Sequence, residues 1–232
     1  MKIDELFGHT FKAIRSQLGL HRSIVPMVQP TADSLFCRDL VDSDKLTAEQ
    51  VAHAANCYRL GRSRSGKTIF WMIDQDGIVR DGRIGHSWAS VMLRQRAPRL
   101  LQDFYPRHCL FGLHLLCSAP SKPICIVEAE EAAVLLSELF PDQLWMAWSY
   151  PANLIEWQLR PLVGHRVILY PRTDPVGDFY LASLEIAFQA RRRFALDVSV
   201  CSILEDHATE AQKEEEIDIV DFLFDKPTGS LY

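Results

Sequence analysis

Four consecutive apolar residues, Ile124-Cys125-Ile126-Val127, are followed by Glu128 and then by Ala129-Glu130-Glu131-Ala132-Ala133-Val134-Leu135-Leu136. An uninterrupted apolar run of this length reads as a strand buried on both faces of a parallel sheet. The segment after it has the apolar spacing of an amphipathic helix, over 129–140. The alternation continues. Strands are predicted at 124–127, 143–149, 166–171 and 197–203, and helices at 129–140, 153–160, 177–193 and 218–224. The acidic stretch 205–216 reads as a loop. This βαβαβαβ series implies a mostly parallel sheet flanked by helices. Strands 124–127 and 166–171 are expected to be central and parallel. Glu128 then ends one strand, and Pro171-Arg172-Thr173-Asp174 follows the other. Both carboxylates fall on the edge where open α/β sheets place their ligands, and two carboxylates there can share a magnesium ion.

The pattern upstream is different. A helix is predicted over about 4–19, then an irregular stretch punctuated by Pro26 and Pro30, then short helices near 33–41 and 47–57. In the last of these Thr47 and Gln50 have capping-box spacing. Residues 68–88 alternate as a two- or three-stranded antiparallel piece, with Asp74-Gln75-Asp76-Gly77 as its turn. Residues 98–118 form a connector with some strand character. The chain therefore divides into an N-terminal α+β region over 1–118 and an α/β domain over 119–232.

Gly61-Arg62-Ser63-Arg64-Ser65-Gly66-Lys67-Thr68 matches the phosphate-loop string G-x-x-x-x-G-K-[ST]. That loop works only between a buried strand and a helix whose N-terminal amides hold the phosphates. Here a helix precedes it and the β-prone Thr68-Ile69-Phe70-Trp71-Met72-Ile73 follows. The string is expected to be a basic turn entering a hairpin, inert towards nucleoside triphosphates. Its Arg62, Arg64 and Lys67 could still meet phosphates as point charges.

Of the 232 residues, 48% are hydrophobic. No apolar run reaches the length of a membrane-spanning helix, and the acidic N-terminus does not read as a secretory signal. The cysteines at 37, 57, 109, 117, 125 and 201 form no C-x-x-C, and Cys125 and Cys201 fall within predicted strands. They read as reduced cytoplasmic thiols. His108, Cys109, His114 and Cys117 lie close together, but the apolar residues between them favour burial over a zinc site. The net charge of −5 conceals an asymmetry: residues 205–232 hold nine acids and two lysines. Elsewhere basic residues cluster at Arg62, Arg64 and Lys67, at Arg94, Arg96, Arg99 and Arg107, and at Arg191-Arg192-Arg193. Nucleic acid is permitted by this distribution.

Taken together, Ile126-Val127-Glu128-Ala129-Glu130-Glu131-Ala132, Trp145-Met146-Ala147-Trp148, Asn153-Leu154, Leu162 to Pro171 and Ile217-Asp218-Ile219-Val220-Asp221-Phe222-Leu223 resemble a Toprim domain. Tyr58-Arg59-Leu60-Gly61, Ile69 to Asp74 and Cys109-Leu110-Phe111-Gly112 extend the likeness to primase-like Toprim proteins carried by mobile elements of Bacteroidetes. It spans roughly 45–225. The resemblance implies a Toprim-like α/β fold and a nucleic-acid-associated protein of DNA replication or transfer, with replication or mobilisation proteins as partners. An active member would perform Mg²⁺-dependent nucleotidyl or phosphoryl transfer. Glu128 matches the family glutamate proposed to move a proton, and Asp174 matches the second of two metal-holding aspartates. Asp218 and Asp221 match a later acidic motif, and the resemblance implies that one of them joins Glu128 and Asp174 in holding Mg²⁺, although the pair also reads as a capped, solvated helix face.

The sequence departs from the family at the first aspartate, where it has Arg172. Ser149-Tyr150-Pro151 replaces a glycine-rich turn, and Glu130-Glu131 replaces Glu-Lys. The alternative is therefore a catalytically inactive Toprim scaffold that binds a protein or nucleic-acid partner. Arg172 is expected to pair with a nearby acid and to neutralise the site in place of a tightly bound metal, and it joins Arg62, Arg64 and Lys67 as a candidate nucleic-acid contact.

Overall fold

The computed structural model describes residues 30–63, 65–85, 87–88, 109–148 and 154–224. The helix expected at 4–19, Arg64, the arginines between 94 and 107, His108 and Ser149-Tyr150-Pro151 lie outside the described residues.

The chain enters through α1 (Leu35–Asp42) and α2 (Ala48–Cys57). Ser34 caps α1, its Oγ accepting from Cys37 N at 3.4 Å. Thr47 and Gln50 form the expected capping box on α2: Thr47 Oγ1 accepts from Gln50 N at 3.2 Å, and Gln50 Oε1 accepts from Thr47 N at 2.9 Å. An antiparallel sheet follows in the order β1 (Gly61–Arg62), β2 (Thr68–Ile73), β3 (Val79–Ile84), β4 (Ser87–Trp88). It has one more strand than expected, because Gly61 and Arg62 pair with Ile69 and Thr68. Every residue of β2 is buried. At the β2–β3 turn Asp74 accepts from Asp76 N and Ile78 N, and Gly77 takes φ +74°.

The second sheet is parallel: β5 (Ile124–Val127), β6 (Leu144–Ala147), β7 (Arg166–Leu169) and β8 (Asp197–Val200), in the spatial order β6-β5-β7-β8. β5 and β7 are central and parallel, as expected. Helix α3 (Glu130–Leu139) connects β5 to β6, and α4 (Asp178–Phe194) connects β7 to β8. A 3₁₀ segment, Glu156–Leu162, occupies part of the helix expected at 153–160.

Alternate strand residues feed two cores. Cys125, Val127, Trp145 and Ala147 pack with α1, α2, β2 and α3. Ile124, Ile126, Leu144 and Met146 face Leu159, Leu162, Ala187 and Ala190 on the other side. The first core joins the antiparallel region to the parallel sheet. Tyr58 fixes the join: its buried hydroxyl donates to Trp145 O at 2.8 Å, and its ring stacks on Phe111 at 5.0 Å.

Two expectations are corrected beyond β8. The strand ends at Val200, so Cys201 lies just outside it. The acidic stretch 205–216 is not a loop but carries α5 (Ile203–His207) and α6 (Glu210–Glu214), followed by α7 (Ile219–Phe224). Thr209 and Gln212 make a second capping box that opens α6. This segment folds back over the carboxyl edge of the sheet, where Ile217 O accepts from Thr173 N at 3.1 Å. Among the described residues, no helix is long and apolar enough to cross a membrane.

Candidate functional site

Glu128 leaves the end of β5 buried, at 6% exposure. Arg172 leaves the end of β7 and closes on it. Arg172 Nε donates to Glu128 Oε2 at 2.8 Å, and Arg172 N donates to Oε1 at 3.3 Å. The guanidinium also reaches Glu216 Oε2 at 3.5 Å and lies 5.2 Å from the Phe179 ring centroid. The expected pairing of Arg172 with a nearby acid is therefore present, and the acid is the family-matched glutamate itself. Burial raises the pKa of Glu128 above its ordinary value. Arg172 opposes that rise and the charge of Asp218 adds to it.

Asp174 is turned towards the helix that follows it. Oδ1 accepts from Val176 N at 3.0 Å and Asp178 N at 3.1 Å, and Oδ2 accepts from Phe179 N at 2.9 Å. Burial acts to raise its pKa, but these amides and that of Gly177 together hold it below the ordinary value. A carboxylate at a helix N-terminus is further favoured by the helix dipole.

Asp218 and Asp221 cap α7 reciprocally. Asp218 Oδ1 accepts from Val220 N at 2.7 Å and Asp221 N at 3.0 Å, while Asp221 Oδ2 accepts from Asp218 N at 3.1 Å. The pair caps the helix, with Asp221 exposed and Asp218 part-buried. Burial raises Asp218 above its ordinary pKa; the Asp221 amide opposes this and the Asp221 charge reinforces it.

A second ion pair stands beside the first. Glu130, fully buried at the first turn of α3, accepts from Arg83 Nη1 of β3 at 2.6 Å. Arg83 Nη2 lies 3.8 Å from Glu131 Oε2, and Arg83 Nε donates to Gly85 O. Buried Thr173 donates to Glu205 Oε1 at 2.8 Å. The sequence reading did not find roles for Arg83, Glu205 or Glu216. Arg83 lies 47 residues from its partner, and Glu205 and Glu216 lie in the stretch read as a loop.

Magnesium requires carboxylate oxygens free to enter a near-octahedral shell, usually completed by water and phosphate. Here a fixed guanidinium charge sits on Glu128, and Asp174 and Asp218 Oδ1 are turned onto backbone amides. The set does not fit the ion. Among the described residues, no group of three or more histidine, cysteine or acidic side chains is arranged to hold a metal. The Cys109–Cys117 region agrees: burial pushes the Cys109 thiol up to about 12 and His114 down to about 4, and Cys117 is exposed. His114 Nε2 donates instead to Cys57 O at 3.0 Å.

In the phosphate-loop string Gly61 and Arg62 form β1 and Thr68 opens β2, so no helix N-terminus follows Lys67. Lys67 is exposed. Arg62 is exposed too, with its guanidinium 3.7 Å from Asp33.

One solved structure shares this architecture. A DnaG primase catalytic domain bound to ssDNA superposes with a TM-score of 0.51 at 15% identity, covering 94% of this chain and 83% of that one. The E. coli primase catalytic core gives a TM-score of 0.47 at 15% identity, covering 88% of this chain and 81% of that one. No curated protein matches the chain. The fold is Toprim-like: a parallel four-stranded sheet flanked by helices, preceded by a small antiparallel sheet. Residues 36–173, running from α1 through the Arg172 corner, match the model of the family described as "Domain of unknown function (DUF6371)". That match spans more than half of the chain, and the protein belongs to this family.

Proposed function

We propose that the protein is a Toprim-like nucleic-acid-binding scaffold in which Arg172 takes the place of a divalent cation beside Glu128. The Arg172–Glu128 pair carries this reading. Its 2.8 Å contact joins the two strand ends that would otherwise frame a metal. A guanidinium supplies a fixed positive charge and two-pronged hydrogen bonding without demanding a coordination shell. Mg²⁺-dependent nucleotidyl or phosphoryl transfer, the active form of the Toprim resemblance, needs carboxylate oxygens that Arg172 and the helix caps now occupy.

Nucleic acid as the ligand class is supported by the likeness in fold to a primase domain solved with ssDNA. The sequence resemblance supports replication or transfer of a mobile element as the setting, with replication or mobilisation proteins as partners. Arg62, Arg64 and Lys67 are candidates for phosphate contacts at the β1–β2 turn.

The test is fluorescence anisotropy with labelled single-stranded and duplex oligonucleotides over a series of salt concentrations, without divalent metal. The expected result is binding whose logarithm falls linearly with the logarithm of salt. Absence of binding at low salt would overturn the reading.

A further inference from the structure

At the edge of the parallel sheet opposite Glu128, a large aromatic side chain stands open to solvent. Trp157 is 51% exposed. Trp is highly buried on average, so such exposure of the ring is informative. Its position is fixed: the Phe194 ring packs against it at 5.0 Å and 66°, and Gln158 Oε1 accepts from Ile155 N at 3.1 Å to brace the start of the 3₁₀ segment.

The surroundings are basic. Segments 156–166 and 191–197 meet at the amino ends of β7 and β8, and hold five arginines against two acids. Arg191 serves the fold, donating to Val198 O at 2.8 Å. Arg193 pairs with Glu156 at 3.2 Å. Arginines in the last turn of a helix also favour its dipole, a position shared by Arg191, Arg192 and Arg193 on α4 and by Arg160 on the 3₁₀ segment. Arg160 lies over the Trp157 ring, 5.9 Å from its centroid. Arg160 and Arg192 are exposed and have no carboxylate partner among the described residues.

We infer that this edge is a binding site for single-stranded nucleic acid, with Trp157 stacking an unpaired base and Arg160 and Arg192 meeting the flanking phosphates. A fixed, half-exposed aromatic ring beside exposed arginines has the chemistry of a single-strand platform: every base has a face to stack, and every linkage has a charge to meet. A duplex keeps its bases in the stack and offers Trp157 none. The inference rests on the nucleic-acid reading above but uses a surface separate from the Glu128 corner.

The experiment compares wild type, Trp157→Ala, Trp157→Phe and the double variant Arg160→Ala/Arg192→Ala. Each is titrated into a labelled oligothymidylate and into an abasic strand of equal length. Light scattering is recorded in parallel. Trp157→Ala is expected to weaken oligothymidylate binding about tenfold to a hundredfold, and Trp157→Phe to retain most of the affinity. Wild type is expected to bind the abasic strand about as weakly as Trp157→Ala binds oligothymidylate. The double arginine variant should bind more weakly and with a shallower salt dependence.

If wild type binds oligothymidylate and Trp157→Ala binds it equally well, this inference is wrong and the broader reading stands. If wild type binds neither strand, this inference is wrong, and the broader reading is decided by the duplex titration. If Trp157→Ala leaves strand affinity unchanged but dissolves a dimer, the face is a protein contact and the inference is overturned.

Discussion

Replacing Arg83 with alanine is expected to destabilise the fold by about 3–5 kcal/mol, the usual cost of stranding a buried charge. Glu130 is fully buried, and Arg83 itself is only 13% exposed. The helix dipole of α3 steadies the Glu130 carboxylate but does not replace a 2.6 Å charge-assisted bond. The loss is larger than a surface pair would give, because neither charge can fall back on water. Arg83→Met with Glu130→Leu should cost less than Arg83→Ala alone, since the double variant no longer buries the Glu130 charge without its guanidinium. Urea unfolding at neutral pH measures both. If Arg83→Ala unfolded at the wild-type midpoint, the pair would not be joining β3 to α3.

The second large effect is at Arg172. Arg172→Ala strands Glu128, and the expected loss at neutral pH is about 2–3 kcal/mol, less than at Arg83 because this corner is more open. The pH dependence has a definite sign. Burial already holds Glu128 above its ordinary pKa, and Arg172 is the main opposing influence. Without Arg172 the rise grows. A carboxyl raised in the folded state contributes full stability below its unfolded pKa and loses it as pH climbs through the folded one. The penalty of Arg172→Ala should therefore be greatest near neutrality and shrink as the pH falls towards about 4, where glutamate protonates in the unfolded chain. Glu128→Gln in the same background should recover part of the neutral-pH loss. A penalty independent of pH would mean that Arg172 acts through packing on Phe179 rather than through charge.

The parallel sheet was readable because burial on both faces leaves an unbroken apolar run. Ile124–Val127 has no other good interpretation at that length, and it fixes Glu128 at the strand end. The capping box at Thr47 and Gln50 was readable because both partners lie within one turn. The same signal stood at Thr209 and Gln212, but the density of acids around it made 205–216 look like a solvated loop. Its consequence reaches the site, because α5 and the turn after α6 deliver Glu205 and Glu216 to the residues that follow β7.

The role of Asp174 was only half visible. Its place after β7 followed from the strand pattern, but its rotation onto the amides of Val176, Asp178 and Phe179 depends on the turn through Pro175 and Gly177. Glu128 shows the opposite limit. Its position was expected, and Arg172 was expected to pair with a nearby acid; the structure makes Glu128 that acid. Arg83 was not expected, since nothing local links β3 to α3.

The most direct test of the central claim is calorimetric titration of Mg²⁺ into wild type and Arg172→Asp under identical conditions. Removing the guanidinium and adding a carboxylate beside Glu128 creates a repulsion that a divalent ion relieves. Wild type is expected to give no heat of specific binding, and Arg172→Asp to bind the ion measurably, with Glu128→Gln abolishing the gain. Mg²⁺ binding to wild type that Glu128→Gln removes, or equal affinity in wild type and Arg172→Asp, would contradict the claim that Arg172 stands where a metal would.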